Sequence, residues 1–291
     1  MEIGLTLPTM ISGVDRDATV EWCRRIDAAP FSTLALGERV TFGNQELFTT
    51  LAAAAVLTER VRLMSTVVIL PMHSAVDVAK QAATIDVLSG GRLTLGVGVG
   101  GRDEDYRALD APFGRRHQGL DDQVAVMERI WAGEPPFEGL APVGPPPVQP
   151  GGPPLYSGSL GPKSIARSAA WAEGVCGFTL DAIGEDHRGT FDRIEQAWSA
   201  AGRVEAPRHV TSFWYSLDDD GGDRLRAYAH RYLAIFGDEM ADAMAGLCST
   251  SSASLVREAM TRLEDAGCDE LLLVPTTADP AEVDRIADIV F

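Results

Sequence analysis

Three residues able to do acid–base or electrostatic chemistry lie at the ends of strand-like runs. Glu38 and Arg39 end the second run, and His73 follows the third. A carboxylate can accept a proton and a histidine titrates near neutral pH, whereas an arginine stays charged and can fix an anion or a carbonyl oxygen. We therefore treat all three as candidate catalytic residues. Two alternatives stay open: Glu38 could pair with Arg39 or another arginine, and His73 could be a surface or helix-capping residue.

A glycine-rich run ends the fourth strand-like segment. Gly96, Gly98 and Gly101 have the GxGxxG spacing of dinucleotide-binding loops, but the segment is fourth in the chain rather than first. Small side chains could instead be required inside a barrel strand. We favour a third interpretation, in which Gly98, Gly100 and Gly101 let a flat ring or a phosphate tail approach the backbone closely.

Two aromatic residues end the seventh run. Trp214 and Tyr215 are large enough to line a substrate pocket. Because alternate residues of a barrel strand face the outer helices, we expect only one of the pair to point inward.

Other catalytic devices are absent from the sequence. There is no GKS or GKT phosphate loop, no HExxH, no GxSxG and no cysteine–histidine metal spacing. The five histidines are scattered, so we expect no metal, although distant histidines and carboxylates can meet in a barrel. The only lysines, Lys80 and Lys163, fall in a helix or at a helix start, which disfavours a Schiff-base lyase or isomerase.

The elements that would position these residues alternate between strands and helices. Eight short runs rich in Val, Leu, Ile and Thr have strand length, and a helix-like stretch follows each. The runs are Ile3–Leu7, Thr33–Leu36, Val61–Leu70, Leu93–Val99, Pro154–Ser157, Val175–Thr179, His209–Leu217 and Glu270–Val274. Such alternation predicts an α/β fold, a (β/α)8 TIM barrel whose working site lies at the C-terminal ends of its strands.

One segment interrupts the alternation. Residues 133–154 are crowded with proline and glycine and include Pro145-Pro146-Pro147, a composition that cannot form a helix interior. A domain linker is one interpretation. Because the alternation resumes beyond it, we favour a Pro/Gly-rich insertion before strand five of a single barrel domain that spans residues 1–291.

Composition limits the partners. The chain has 42 acidic and 25 basic residues, a net charge of -17, and such a field repels nucleic acid and anionic lipid. No apolar run reaches the roughly 18 residues of a membrane helix, and no signal-peptide pattern is present, so we expect a cytoplasmic protein with no nucleic-acid or membrane partner. The four separated cysteines are expected to be reduced.

The helix-like run Leu47–Leu57 is rich in alanine and bare of charge for a surface helix. It predicts the face of a homodimer. Packing against the barrel wall would also explain it.

A longer pattern resembles a known family. The run AKQAATIDVLSGGRLTLGVGVGG, from Ala79 to Gly101, is similar to the hallmark of the bacterial luciferase-like monooxygenase family. Weaker matches follow the family's order: LALGERV at strand two, TVVILP at strand three, PLYSGSLGPK at strand five and AGCDELLLVP at strand eight. The resemblance implies a barrel enzyme, commonly dimeric, that uses FMN or coenzyme F420 for hydride transfer or oxygen activation on a small organic substrate. A separate cofactor reductase would be a further partner.

The resemblance also implies cofactor-binding residues. Thr66 and Val67 lie on strand three, where F420 members of the family often have a non-prolyl cis peptide. The turn after strand five offers backbone N–H groups, hydroxyls and a cation that suit a phosphate. Its residues are Ser157, Gly158, Ser159 and Lys163. Alternatively, Ser159 merely caps the helix that Pro162 opens.

Two positions depart from the family pattern. Arg39 stands where sugar-phosphate dehydrogenases of the family have a histidine after the acidic residue, so their acid–base step cannot be carried over to Glu38 unchanged. Gly101 stands where many relatives have tryptophan, and its small size should open the pocket. These departures leave a second hypothesis open, a non-catalytic barrel protein that binds the cofactor without turnover.

Overall fold

The computed structural model describes residues 1–291, and its eight strands are parallel and close into one barrel in chain order. The strands are β1 (Glu2–Thr6), β2 (Thr33–Leu36), β3 (Arg62–Ile69), β4 (Leu93–Gly98), β5 (Leu155–Ser157), β6 (Gly174–Cys176), β7 (Arg208–Tyr215) and β8 (Glu270–Pro275). At least one helix follows each strand. The predicted (β/α)8 architecture is confirmed.

The helices surround the barrel. They are α1 (Arg16–Ala28), α2 (Leu47–Leu57), α3 (Ala75–Ser89), α4 (Asp103–Ala108), α5 (Arg116–Trp131), α6 (Pro162–Ser168), α7 (His187–Ala200), α8 (Gly221–Leu233), α9 (Asp238–Ala245), α10 (Ala253–Ala266) and α11 (Glu282–Val290). Short 3-10 turns lie at Leu70–Met72 and Ala234–Phe236. Three α-helices and a 3-10 turn follow β7, and α8, the turn and α9 cover part of the C-terminal face of the barrel.

Strand side chains alternate between the barrel interior and the layer beneath the helices. The outer layer is a cluster of 51 buried residues that joins strands to helices. The interior cluster is much smaller and consists of Ala35, Met64, Tyr156, Cys176, Val210 and Leu272. Above it, interior positions such as Thr6, Gly37 and Ser212 carry small side chains and leave open volume at the C-terminal ends of the strands.

Strands β3 and β4 approach each other closely at a bulge. The pairing register shifts between Ser65 and Val68, and the Ser65 hydroxyl donates to the carbonyl oxygen of Gly96 at 2.8 Å. A Cβ atom at Gly96 would overlap the carbonyl oxygen of Ser65. The glycine at this position is therefore required by strand packing.

The family-like run from Ala79 to Gly101 has a structural role at the opposite end of the barrel. Arg92 donates hydrogen bonds to the carbonyl oxygens of Ala55, Thr58 and Val61, and so ties β4 to the end of α2. Because a guanidinium has five donors in a fixed fork, one side chain satisfies several carbonyls that the helix end leaves unpaired.

The Pro/Gly-rich insertion is anchored to α3 and β4. The fully buried carboxylate of Asp86 accepts hydrogen bonds from the backbone N–H groups of Val148 and Gln149 at 2.7 and 3.0 Å. Lys80 Nζ donates to the carbonyl oxygen of Gly144 at 2.8 Å. These contacts confirm an extended segment that packs on the barrel before β5.

Helix α2 packs against the barrel through Leu47, Leu51 and Ala54. On its outer side Val56 is 65% exposed, and Val87 and Leu88 of α3 are also exposed. Barrel packing thus explains the apolar inner face of α2, while these three apolar side chains remain exposed on the outer side of the two helices. No helix combines the length and the apolar character needed to cross a membrane.

Candidate active site

A cavity of about 500 Å³ opens at the C-terminal ends of the strands. Seven strands contribute to it, through Thr6, Gly37, Thr66, Gly158, Cys176, Ser212 and Val274. Its outer side is formed by α8, the 3-10 turn Ala234–Phe236 and α9. The volume suits a small-molecule ligand, and this end of the barrel is where (β/α)8 enzymes place their sites.

Aromatic side chains form much of the lining. We call five of them the aromatic wall: Phe178, Trp214, Tyr228, Tyr232 and Phe236. Trp214 lies at its centre, with ring centroids 4.5 Å from Phe178, 5.6 Å from Tyr228 and 5.3 Å from Tyr232. The neighbouring Tyr215 is fully buried beneath the helices, where burial, followed by the charge of Glu282, raises its pKa. Only one residue of the pair therefore faces the cavity, as predicted.

The Thr66–Val67 segment of β3 also lines the cavity, and the peptide bond between these residues is cis. The Val67 side chain fits between two glycines. A Cβ atom at Gly98 would lie 2.8 Å from one Val67 methyl group, and one at Gly158 would lie 3.0 Å from the other. Val67 thus fills the space beside Gly98. Packing against Val67 requires a glycine here, whereas the interpretation favoured from the sequence was the close approach of a ring or a phosphate tail.

Glu38 and His73 form a pair beside β3. Oε1 of Glu38 lies 2.7 Å from Nε2 of His73, and Oε2 accepts the backbone N–H of Ile69 at 2.6 Å. The side chains of Glu38 and His73 are 6% and 23% exposed. Burial lowers the pKa of His73, but the hydrogen bond to Glu38 and the charges of Glu38 and Glu46 outweigh it, and the net shift is upward. The structure joins two of the three candidate catalytic residues.

Replacing Glu38 with glutamine should lower the pKa of His73, because burial then becomes the dominant influence. The raised pKa also links this pair to stability: its contribution is complete below the unfolded-state value of about 6.5 and is lost as the pH rises through the folded value. E38Q should therefore destabilise the protein more at pH 5.5 than at pH 9. Imidazole NMR titration and thermal unfolding at both pH values measure these effects.

The matched control is Glu134→Gln, since Glu134 is an exposed carboxylate on the surface. It should leave the His73 titration unchanged. An unchanged His73 titration in E38Q as well would contradict the pairing.

Arg39 points away from Glu38. Its Nε donates to the Asp105 carboxylate at 2.9 Å, and both side chains are 5% exposed. Asp105 also accepts the backbone N–H and the hydroxyl of Thr41, and these bonds with the Arg39 charge hold its pKa low despite the opposing effect of burial. The alternative in which Glu38 pairs with Arg39 is wrong: Glu38 pairs with His73, and Arg39 fastens the β2 end to α4.

A smaller cavity of about 90 Å³ lies beside Arg39. It is lined by Glu38, Gly100, Gly101 and Arg102, and it shares Tyr232 with the large cavity. The backbone N–H groups of Gly100 and Gly101 donate to no protein acceptor. A Cβ atom at Gly101 would meet nothing within 4 Å, so this glycine does open space, as expected from its small size.

The turn after β5 has a mixed arrangement. The hydroxyls of Ser157 and Ser159 are buried and lie 2.6 Å apart, so they bond to each other. Lys163 is exposed on the surface of α6. The helix is capped by Gly161 and opened by Pro162, so Ser159 is not its cap. Of the four residues in this group, only Gly158 lines the large cavity.

The cysteines are all free, and no cluster of three or more His, Cys, Asp or Glu side chains is placed to hold a metal ion. Cys176 lines the cavity, where burial raises its pKa to about 12. At neutral pH this thiol is therefore protonated, so it acts as a small apolar surface.

Comparison with known proteins agrees with this geometry. A family model described as luciferase-like monooxygenase matches residues 1–290. The chain belongs to the luciferase-like monooxygenase family. An uncharacterized protein of Mycobacterium tuberculosis is 28% identical to it over 210 residues, which make up 63% of this chain and 73% of that protein.

Solved structures share the fold of this luciferase-like chain. The coenzyme F420-dependent tetrahydromethanopterin reductase of Methanopyrus kandleri has a TM-score of 0.78 at 17% identity and covers 100% of this chain and 99% of its own. The oxygenating constituent of 3,6-diketocamphane monooxygenase from Pseudomonas putida, in complex with FMN, has a TM-score of 0.74 at 15% identity and covers 100% and 96%.

Sequence reasoning missed several residues of this luciferase-like site. Tyr228 and Tyr232 come from α8 and lie four residues apart on one helix face, whereas the residues predicted to line the site lie at strand ends. Their four-residue spacing is the only signal in the sequence, and it does not single out a site because every buried helix face has the same spacing. Asp105 was missed because nothing in the sequence links it to Arg39, from which it is separated by 66 positions.

Proposed function

We propose that this chain is an oxidoreductase that binds FMN or coenzyme F420 at the barrel mouth and acts on a small organic substrate by hydride transfer or oxygen activation. The observation that carries the proposal is the mainly apolar cavity of about 500 Å³ at the C-terminal strand ends, with Thr66 and Val67 in its lining. Family membership supports it, and the two structural relatives are named for F420 and for FMN.

The residues present fit the flat part of such a cofactor. Val67 and Gly158, in the lining of the large cavity, offer an apolar surface without long side chains. When bound, either cofactor would supply hydride transfer, and reduced FMN would also supply reactivity towards oxygen. The protein's part is to orient the reactants and to exclude water with these apolar surfaces.

The phosphorylated tail needs donors and positive charge. The free N–H groups of Gly100 and Gly101, next to Arg102 and close to Arg39, provide both at the end of β4. Lys163 could add a cation from α6, while Ser157 and Ser159 shape the turn from behind through their mutual hydrogen bond. We therefore propose that the tail lies across the ends of β4 and β5.

The Glu38–His73 pair borders this site without lining the large cavity. Both oxygens of Glu38 are already engaged, one by Ile69 and one by His73. We infer that the two residues position the end of β3. Of the two, only Glu38 lines the small cavity, so Glu38 is the one that would exchange a proton with a ligand there. Arg39 contributes charge from its fixed place against Asp105.

Three exposed apolar side chains, Val56 on α2 and Val87 and Leu88 on α3, support a homodimer of single-domain chains. An enzyme that consumes reduced FMN would also need a separate reductase. An enzyme that couples F420 directly to its substrate would not.

Parallel titrations with FMN and with F420, followed by fluorescence, test the proposal. Preference for F420 would indicate a dehydrogenase or reductase, and turnover should then proceed without oxygen. Preference for FMN would indicate a monooxygenase, and substrate conversion should then consume oxygen. Binding of neither cofactor would contradict the proposal, and stoichiometric binding without turnover of any substrate would favour the non-catalytic alternative.

A further inference from the structure

The lining of the large cavity contains almost no charged side chains. No lysine, arginine, histidine or aspartate is among its lining residues, and its one carboxylate belongs to Glu185. That carboxylate accepts the backbone N–H groups of Leu180 and Asp181, each at 3.1 Å. Both bonds end on Oε1, and the Glu185 side chain is exposed, so water screens the charge that it offers to a bound cation.

Cations lie on the outside of the aromatic wall. Arg102 stacks over the ring of Tyr232 at 4.9 Å, and Arg231 lies 5.6 Å from the ring centroid of Tyr228. These rings therefore already interact with positive charge through their π-faces. A cationic ligand inside the wall would meet like charges across a single ring.

An anionic ligand is disfavoured for a different reason. The lining supplies no positive side chain to pair with it, so entry would cost the hydration energy of the charge without a compensating ion pair. The net charge of -17 adds a general repulsion of anions.

The entrance is also apolar. Leu160, after β5, is 73% exposed, and Phe236, in the 3-10 turn after α8, is 56% exposed, yet both line the cavity. Large apolar side chains at a rim make contact with an apolar part of a ligand as it enters or projects outwards.

We propose that the substrate of this site is an uncharged compound with a planar, mainly apolar body that packs against Trp214 and the rest of the aromatic wall. This inference rests on the proposed function, because the bound compound is a substrate only if the chain is an enzyme. The selectivity against both signs of charge follows from the cavity lining itself.

Three naphthalene probes of nearly equal size test it by isothermal titration calorimetry: naphthalene-2-methanol, 2-naphthoate and naphthalen-2-ylmethylammonium. Each is titrated at pH 7.5 into the purified chain, with and without a saturating concentration of whichever cofactor binds. The neutral alcohol should bind at least about tenfold more tightly than either ion, a difference of roughly 1.4 kcal/mol. Trp214→Leu should weaken binding of the alcohol by about the same factor.

The matched control is Trp171→Leu, because Trp171 is half-buried and hydrogen-bonded to Asp121, away from the cavity. It should leave the affinity for the alcohol unchanged. Equal affinities for the three probes, or tighter binding of either ion, would overturn the inference even if Trp214→Leu did not fold. If a cofactor binds but the neutral probe is not preferred over the charged probes, this inference alone is refuted. If the neutral probe is preferred but neither cofactor binds, this inference is supported and the proposed function is refuted.

Discussion

Replacing Gly96 with alanine should destabilise the protein by about 3 kcal/mol or more. The new Cβ atom would overlap the carbonyl oxygen of Ser65 and would lie 3.2 Å from a methyl group of Val67. Neither neighbour can move freely, because the β3–β4 hydrogen bonds fix the Ser65 backbone and Val67 is packed between Gly98 and Gly158. Urea unfolding followed by circular dichroism measures the loss.

The control is Gly101→Ala, five positions further along the same run. A Cβ atom there would meet nothing within 4 Å, so its effect on stability should stay within about 0.5 kcal/mol. Equal stabilities of the two variants would show that the close contact of β3 with β4 is not the reason for glycine at position 96.

Replacing Arg39 with methionine should cost about 3 to 5 kcal/mol of stability, because it leaves the buried Asp105 carboxylate without its cation. Arg39→Lys should recover part of the loss, since an ammonium restores the charge without the directional guanidinium contact. Thermal and urea unfolding of the three proteins give the comparison. The expectation depends on burial, as both side chains of the pair are 5% exposed.

Arg16→Met provides the contrast, since its ion pair with Asp17 is almost fully exposed and should contribute less than about 1 kcal/mol. A further outcome concerns function. If Arg39→Met were as stable as the native chain but lost activity, Arg39 would be a direct participant in the reaction and its structural role would be refuted.

The fold was predictable because it depends on patterns that are local in sequence. Strand-length apolar runs alternated with helical stretches, and this order leaves few topologies other than a closed parallel barrel. The shortest strands, β5 and β6, were placed to within a few residues although each has only three. The predicted and observed strand ends differ most at β6. Beyond its observed end, the backbone N–H of Thr179 still donates to the carbonyl oxygen of Ser212 in β7.

The site was predictable only in part, because its contacts join residues that are distant in sequence. The sequence placed Glu38 and His73 at neighbouring strand ends, but it could not show that they bond to each other across 35 positions. It left open whether Arg39 pairs with Glu38, whereas the structure pairs Arg39 with the buried Asp105 on the short helix α4. Glycines raised the same difficulty: the empty space beside Gly101 and the filled space beside Gly98 have identical sequence signals.

The most direct test of the central claim is the dissociation constant of FMN and of F420 for the native chain and for two threonine-to-tryptophan variants. Thr66 is half-buried and lines the cavity, whereas Thr261 is exposed on α10. The native chain should bind one cofactor in the micromolar range or better, Thr66→Trp should weaken that binding at least about tenfold by filling the cavity, and Thr261→Trp should not change it. Equal affinities of the two variants, or no binding to the native chain, would contradict the assignment of this cavity as the cofactor site.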